Sequence, residues 1–252
     1  MFRNAGGQKG ESQMSRSIFI CAATVLIFWM LPAQAGPFVD VPSDPWDGTW
    51  MIDKLQCEGF IEGYPDNYFR GNQPFTRYEA AMVMARVLAR LLGEISVFNP
   101  ALADVMAAQA TAPSEISFAD VPSDHWAYEA VKALENTGIL IGRPGARFDG
   151  NRPVTRSELA AMLSRMWRLL PSPFGKNAPS IDESKMPSFT DLPEDSWAYS
   201  DVTFLVRIGA VQGYPDGTYR GRRTYTRSEM AMVIARWWDR FAYELEAKQW
   251  EN

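Results

Sequence analysis

Histidine and cysteine are nearly absent from this chain. Its 252 residues hold one histidine, His125, and two cysteines, Cys21 and Cys57. That scarcity excludes a zinc finger, a disulfide-stapled scaffold and most histidine-based catalysis. No GxSxG, P-loop or HExxH signature is present. The aspartate-bearing loops lack the alternating ligand ladder of an EF-hand, and nothing in the sequence places two carboxylates across a cleft as glycosidase chemistry needs. No enzyme activity, cofactor or metal is therefore expected. An excess of positive charge is missing too: the formal net charge of −5 argues against a nucleic-acid partner held by bulk electrostatics. With 46% hydrophobic and 22% charged residues, the composition is that of an ordinary folded protein rather than a disordered one.

Tryptophan and proline are plentiful by contrast, at 9 and 17 residues, and their placement is periodic. The N-terminus stands apart. Ile18 to Leu31 is a fourteen-residue run, apolar except for Thr24, preceded by Arg16 and followed by Ala33-Gln34-Ala35. This run is shorter than the roughly 20 residues a spanning helix needs, and its flanks are those of a secretory signal peptide. The expectation is an exported protein cut after Ala35, with no stable membrane insertion afterwards and with Met14 as an alternative start. Cleavage removes Cys21 and leaves 22 basic and 29 acidic residues, a mature charge of −7.

The remainder repeats itself three times. Phe38-Val39-Asp40-Val41-Pro42-Ser43-Asp44-Pro45-Trp46 recurs from Phe118 to Trp126 and, as Phe-Thr-Asp-Leu-Pro-Glu-Asp-Ser-Trp, from Phe189 to Trp197. Each opening leads to an apolar-periodic segment stopped by Gly59, Gly138 or Gly209. Gly63, Gly142 and Gly213 follow, and thirteen residues further in every copy comes Thr-Arg-x-Glu, at Thr76, Thr155 and Thr226. Each unit reads as helix, loop, helix. Glycine takes the left-handed conformation that ends a helix, Pro-Asp-Gly makes a turn, and Thr-x-x-Glu is a capping box for the second helix. Asp124 or a neighbour is expected to cap the first helix, with Trp126, Ala130, Val131 and Leu134 on its apolar face. Ala80, Val83, Val87 and Leu91, flanked by Met84 and Leu88, form the apolar face of the second. One such unit is too small to bury both faces alone, so the three are expected to share one core around a pseudo-threefold axis. The expected organisation is a signal peptide at 1–35, repeats at 38–92, 118–170 and 189–243, linkers at 93–117 and 171–188, and a tail at 244–252. The first linker holds an alanine-rich stretch that can form a short helix.

The F-x-D-[VL]-P-x-D-x-W opening, the Trp-Ala-Tyr start of copies two and three, the Gly-Tyr-Pro-Asp-Gly-Thr-Tyr-Arg-Gly loop of copy three and the Thr-Arg-x-Glu box resemble S-layer homology (SLH) modules. The resemblance implies an all-α, three-repeat helical spindle. It also implies non-covalent binding of bacterial cell-wall polysaccharide or modified peptidoglycan bearing acidic pyruvyl groups, and a place in the cell envelope. Other envelope proteins are the alternative partners, with the same repeats acting as a scaffold.

The residues offer candidates for that chemistry. Arg77, Arg156 and Arg227 stand in the first turn of a helix, where the positive end of the macrodipole disfavours a cation by about 0.3–1 kcal/mol. A compensating partner is needed, and two readings are open. One is an acidic ligand held by the arginine fork and the helix N-terminus; the other is an acid of a neighbouring copy, such as Asp40, Asp120 or Asp191. The resemblance favours ligand contact in at least one groove. Tyr64 and Tyr214 are placed to stack on a sugar, and Gly63, Gly142 and Gly213 to admit a ligand close to the backbone. Core packing and plain turn geometry are the alternatives. Trp46, Trp126 and Trp197 are expected to anchor the core, with a platform for a sugar ring as the alternative. Copy two carries Arg143 in place of the tyrosine, so the grooves should not be equivalent. His125 is expected to be a helix-start surface residue, and Cys57 a partly exposed thiol.

Overall fold

The computed structural model describes residues 38–41, 49–142, 145–170 and 188–249. All of them belong to the second of two units, Pro32–Asn252. The expected signal peptide, Cys21, Trp46, Arg143 and the linker from 171 to 187 lie outside the described residues.

Seven α-helices and no strand occur among the described residues: α1 (Trp50–Cys57), α2 (Arg77–Phe98), α3 (Pro100–Ala110), α4 (Tyr128–Asn136), α5 (Arg156–Arg168), α6 (Tyr199–Arg207) and α7 (Arg227–Gln249). The long helices α2, α5 and α7 start where the Thr-Arg-x-Glu boxes predict. The Thr76 amide donates to Glu79 Oε2 at 2.8 Å and the Glu79 amide to Thr76 Oγ1 at 3.2 Å. The same reciprocal pair closes at Thr155 and Glu158 and at Thr226 and Glu229. These boxes satisfy two amides that a helix start otherwise leaves open. The stripe Ala80, Val83, Met84, Val87, Leu88 and Leu91 is buried along α2 as its spacing predicts.

The short helices behave differently from expectation at their N-termini. Neither α4 nor α6 has a side-chain cap, and Asp124 does not serve as one. Two successive turns precede α4, closed by His125 N–H to Pro122 O at 3.0 Å and Tyr128 N–H to His125 O at 2.9 Å. His125 Nδ1 accepts from the Ala127 amide inside this turn, as Ser196 Oγ does from Ala198 in copy three. The turn points the small Ala127 and Ala198 inward and the tryptophans outward. Trp126 and Trp197 are 57% and 63% exposed, so these two are not core anchors. Ala130, Val131 and Leu134 do line the core. Gly59, Gly138 and Gly209 end the first helices with φ of 75°, 71° and 78°, a conformation in which a Cβ would be strained.

Each short helix packs on the long helix of the preceding copy: α4 on α2, α6 on α5, and α1 on α7. Lys54 of α1 pairs with Asp239 of α7, and Arg168 of α5 with Asp201 of α6 at 2.8 Å. A copy therefore buries its apolar faces against its neighbours, which is why one unit is too small to stand alone. Where the copies meet, their capping segments close a ring. Phe75 N–H donates to Tyr225 O, Tyr225 N–H to Val154 O, and Val154 N–H to Phe75 O, at 2.9, 3.2 and 2.8 Å. Phe75, Val154 and Tyr225 are all buried. Further along the long helices the core is aromatic. Trp167 meets Trp237 edge-on at 5.8 Å, and Trp237 stacks on Phe241 at 5.9 Å.

The alanine-rich stretch of the first linker is helical. Asn99 Oδ1 accepts from the Leu102 amide at 3.1 Å and caps α3. Ala103, Met106 and Ala110 of α3 are buried, and the helix packs on α2 and α4. No described helix is long and apolar enough to cross a membrane.

Candidate functional site

The three predicted arginines occupy equivalent places, one at each junction between copies. Arg77, Arg156 and Arg227 are only 2%, 8% and 7% exposed. Each sends Nε into the loop of the next copy: Arg77 to Phe148 O at 2.7 Å, Arg156 to Tyr219 O at 3.0 Å and Arg227 to Phe69 O at 2.8 Å. Those loops are held from below. Asp40 accepts from the Phe69 and Arg70 amides, Asp120 from Phe148 and Asp149, and Asp191 from Tyr219 and Arg220, all at 2.6–2.8 Å. Arg70, Asp149 and Arg220 are non-glycine residues at φ of 56°, 53° and 56°. That conformation costs an L residue about 1–2 kcal/mol, and the carboxylate clamp on its amide offsets it. The three aspartates are thus loop anchors and not the arginines' partners.

The acid that meets the arginine is the capping glutamate of the next copy. Glu79 uses Oε2 for its own helix cap and Oε1 for Arg227 Nη1, at 2.5 Å. Glu158 likewise caps α5 through Oε2, and its Oε1 receives Arg77 Nη1 at 3.2 Å and Arg152 Nη2. Burial opposes ionisation of Glu158 most strongly. The Thr155 hydrogen bonds and the charges of Arg77 and Arg152 together outweigh it and hold the carboxyl below its ordinary value. Glu229 differs: Arg223 grips it through two nitrogens at 3.0 and 2.6 Å.

Tyr64 and Tyr214 stand at these same junctions. Two guanidinium groups lie over each ring, Arg70 at 4.2 Å and Arg227 at 5.0 Å for Tyr64, and Arg220 at 4.1 Å and Arg156 at 5.3 Å for Tyr214. The Tyr64 hydroxyl donates to Gln73 Oε1 at 3.1 Å. Gly63, Gly142 and Gly213 have a packing reason of their own. A Cβ there would lie 2.6, 2.3 and 2.2 Å from the rings of Phe38, Phe118 and Phe189, the first residue of each repeat.

The junction between copies three and one opens into a cleft of about 330 Å³. Gly63, Tyr64 and Arg227 line it together, with Glu62, Arg86 and the exposed Trp126. Arg86 and Glu62 form an ion pair at 2.6 Å. The sequence reading missed Glu62, Arg86 and the second role of the capping glutamates, and it favoured the core over the surface for Trp126, which lines the cleft. The arginine-to-glutamate contacts run between copies, so no local pattern announces them. His125 stacks on Tyr78 with centroids 4.0 Å apart and is half-buried. Cys57 is a free, exposed thiol. No group of three or more potential metal ligands gathers among the described residues.

Three helix pairs built from repeated caps, with arginines buried at their junctions, define a module made by repetition, and comparison with known proteins identifies it. The family model of the S-layer homology domain matches residues 37–81, 117–160 and 188–231. The chain belongs to the S-layer homology family. It is 30% identical over 178 residues to cell surface glycoprotein 1 of Acetivibrio thermocellus, covering 70% of this chain and 7% of that protein. It is 29% identical over 177 residues to the cellulosome-anchoring protein of the same organism, covering 70% of this chain and 35% of that protein. It is 26% identical over 214 residues to an S-layer protein of Bacillus thuringiensis subsp. finitimus, covering 84% and 23%. The chain therefore spans about a third or less of the length of each of these relatives.

Proposed function

We propose that this chain is a non-catalytic cell-envelope module that binds an acidic cell-wall polysaccharide, pyruvylated wall polymer or modified peptidoglycan, in the grooves between its copies. The observation that carries the reading is a buried arginine at a helix N-terminus beside a loop tyrosine at two junctions, Arg156 by Tyr214 and Arg227 by Tyr64, the second of them at an open cleft. The amides of that first turn are taken up by the capping boxes and by carbonyls of the neighbouring copy, so such a position offers a dipole that favours anions and a fork that fits a carboxylate. Membership of a family whose relatives include a cellulosome-anchoring protein and an S-layer protein supports a role in holding proteins to the cell surface. The overall negative charge slightly repels a polyanion, so binding rests on a few directed contacts. Co-sedimentation with purified wall material tests the reading. Simultaneous Arg77→Lys, Arg156→Lys and Arg227→Lys substitution should release a folded chain from the pellet. Undiminished pelleting of that variant would refute the assigned role of the arginines.

A scaffold for other envelope proteins is the second reading. The exposed apolar corner at Val97, Phe98 and Val105, where α2 meets α3, favours it. Capture of envelope proteins that persists after removal of wall polymer would support this reading over the first.

A further inference from the structure

We propose that the corner formed by α3 and the last turn of α2 is a contact surface for a second copy of this chain, giving a weak twofold dimer. This goes beyond both readings above and rests on neither. α3 lies between the first two matches of the S-layer homology model, which end at residue 81 and resume at 117. The surface is therefore an addition to the repeated module, and none of its residues lines the cleft at Arg227.

α3 is apolar on two opposite sides. Of its residues only Asp104 and Gln109 are polar. Ala103, Met106 and Ala110 are buried where the helix packs on α2 and α4. Ala101, Val105 and Ala108, spaced by four and three, share the other side and are exposed. Val97 and Phe98, at the end of α2, adjoin this side and are exposed as well; Val97 and Val105 are 74% and 66% exposed. A helix that is apolar all round is normally covered all round.

The corner is also held in shape at both ends of α3. Asn99 caps its start. At its end Asn136, the last residue of α4, donates Nδ2 to the carbonyls of Ala110 and Ala112, both at 3.2 Å, and its own carbonyl accepts from Gln109 Nε2 at 3.0 Å. A surface fixed in this way loses little freedom when it is covered.

Charge selects the occupant. The chain carries a net charge of −5, so two copies repel each other over most of their surfaces. From Ile95 to Ala112 the one charged residue is Asp104, so this corner is a place where like-charged copies can meet. A lipid surface suits it less, because the same segment has no lysine or arginine to meet headgroups. A twofold contact needs one patch that serves as its own complement. Area sets the strength. α3 has 11 residues, which makes it about 16 Å long and about 10 Å wide. With the last turn of α2 the corner offers roughly 300 Å² to a partner, against about 800 Å² per partner in a stable complex. The dimer is therefore weak and forms where the chain is concentrated.

Sedimentation equilibrium of the chain, purified in its exported form, reads the association from about 10 µM to about 1 mM. The mean mass should climb from one chain toward two. It should climb more readily as salt rises from about 0.05 M to about 0.5 M, since salt screens the repulsion between copies and leaves an apolar contact intact. Val97→Ser combined with Val105→Ser keeps the charge and should weaken the dimer about tenfold at an unchanged melting temperature. Ala108→Glu disrupts the same face independently and should leave the chain monomeric throughout. A chain that stays monomeric at the highest concentration in high salt, a dimer that salt weakens, or a dimer that survives both variants would overturn the proposal. So would a monomeric chain that floats with neutral phosphatidylcholine vesicles until Val105 is replaced, which would give the corner to lipid.

Discussion

Gly150 is the most sensitive position at a junction between copies. Its carbonyl accepts from the Tyr78 amide at 2.8 Å, which fixes the two backbones against each other. A Cβ at Gly150 would lie 2.2–2.4 Å from three atoms of the Tyr78 ring. That ring cannot step aside, since His125, Phe148 and Trp126 surround it at centroid distances of 4.0, 5.3 and 5.7 Å. Overpacking of a filled core costs about 1–3 kcal/mol, and a rigid ring on one side with a fixed backbone on the other puts Gly150→Ala at the top of that range. For a chain of this size about 3 kcal/mol corresponds to a fall in melting temperature of roughly 6–12 °C. Gly71 and Gly221 hold the equivalent places, but a Cβ there first meets a serine hydroxyl, Ser228 or Ser157, which can rotate away. Their alanine variants should lose less. At Gly93, inside α2, a Cβ would meet nothing within 4 Å, so Gly93→Ala should gain about 0.5–1 kcal/mol from helix propensity. Thermal unfolding followed by helix circular dichroism reads all four. A Gly150→Ala variant that melts within a degree of wild type, or no lower than Gly93→Ala, would refute this packing of copy one on copy two.

Other consequences follow from the same contacts. Asp120→Ala removes the acceptor of two amides, at Phe148 and Asp149, and should cost about 1–3 kcal/mol in chemical denaturation. Thr155→Ala breaks a helix cap and should cost about 1 kcal/mol by the same measurement. Glu158 and Glu229 have lowered carboxyl pKa values in the fold, so their contribution is complete above the ordinary glutamate value of about 4.3 and is lost as pH falls through and below it. Denaturation midpoints should drop in that window, and Glu158→Gln should flatten the drop. Burial raises the Tyr225 phenol to about 12 and the Tyr219 phenol further still. Both should stay un-ionised in the folded chain at a pH of about 10.5, by ultraviolet titration, and their contribution to stability should fade as pH climbs beyond the ordinary tyrosine range near 10.

What could be read in the sequence was local or repeated. The capping boxes, the glycine helix stops and the stripe from Ala80 to Leu91 follow from spacings of three, four and seven residues, and the structure places them as read. The three-copy core follows from the small size of one unit. The pairing of α1 with α7 was not legible, because it joins segments far apart in the chain. For the same reason the capping glutamates were read as caps alone, although their second oxygens at Glu79 and Glu158 meet arginines of another copy. Trp126 and Trp197 misled because the Trp-Ala-Tyr pattern reads as a helix start, while a turn centred on His125 or Ser196 delays the helix and gives the inward place to alanine. Gly63, Gly142 and Gly213 read as loop glycines. Only the folded chain shows that each makes room for the phenylalanine that opens its own repeat.

Co-sedimentation of the full chain with purified pyruvylated wall polymer, before and after mild acid removal of the pyruvyl groups, tests the central claim most directly. The account predicts binding to the intact polymer and its loss on the treated one. Equal pelleting with both would contradict it.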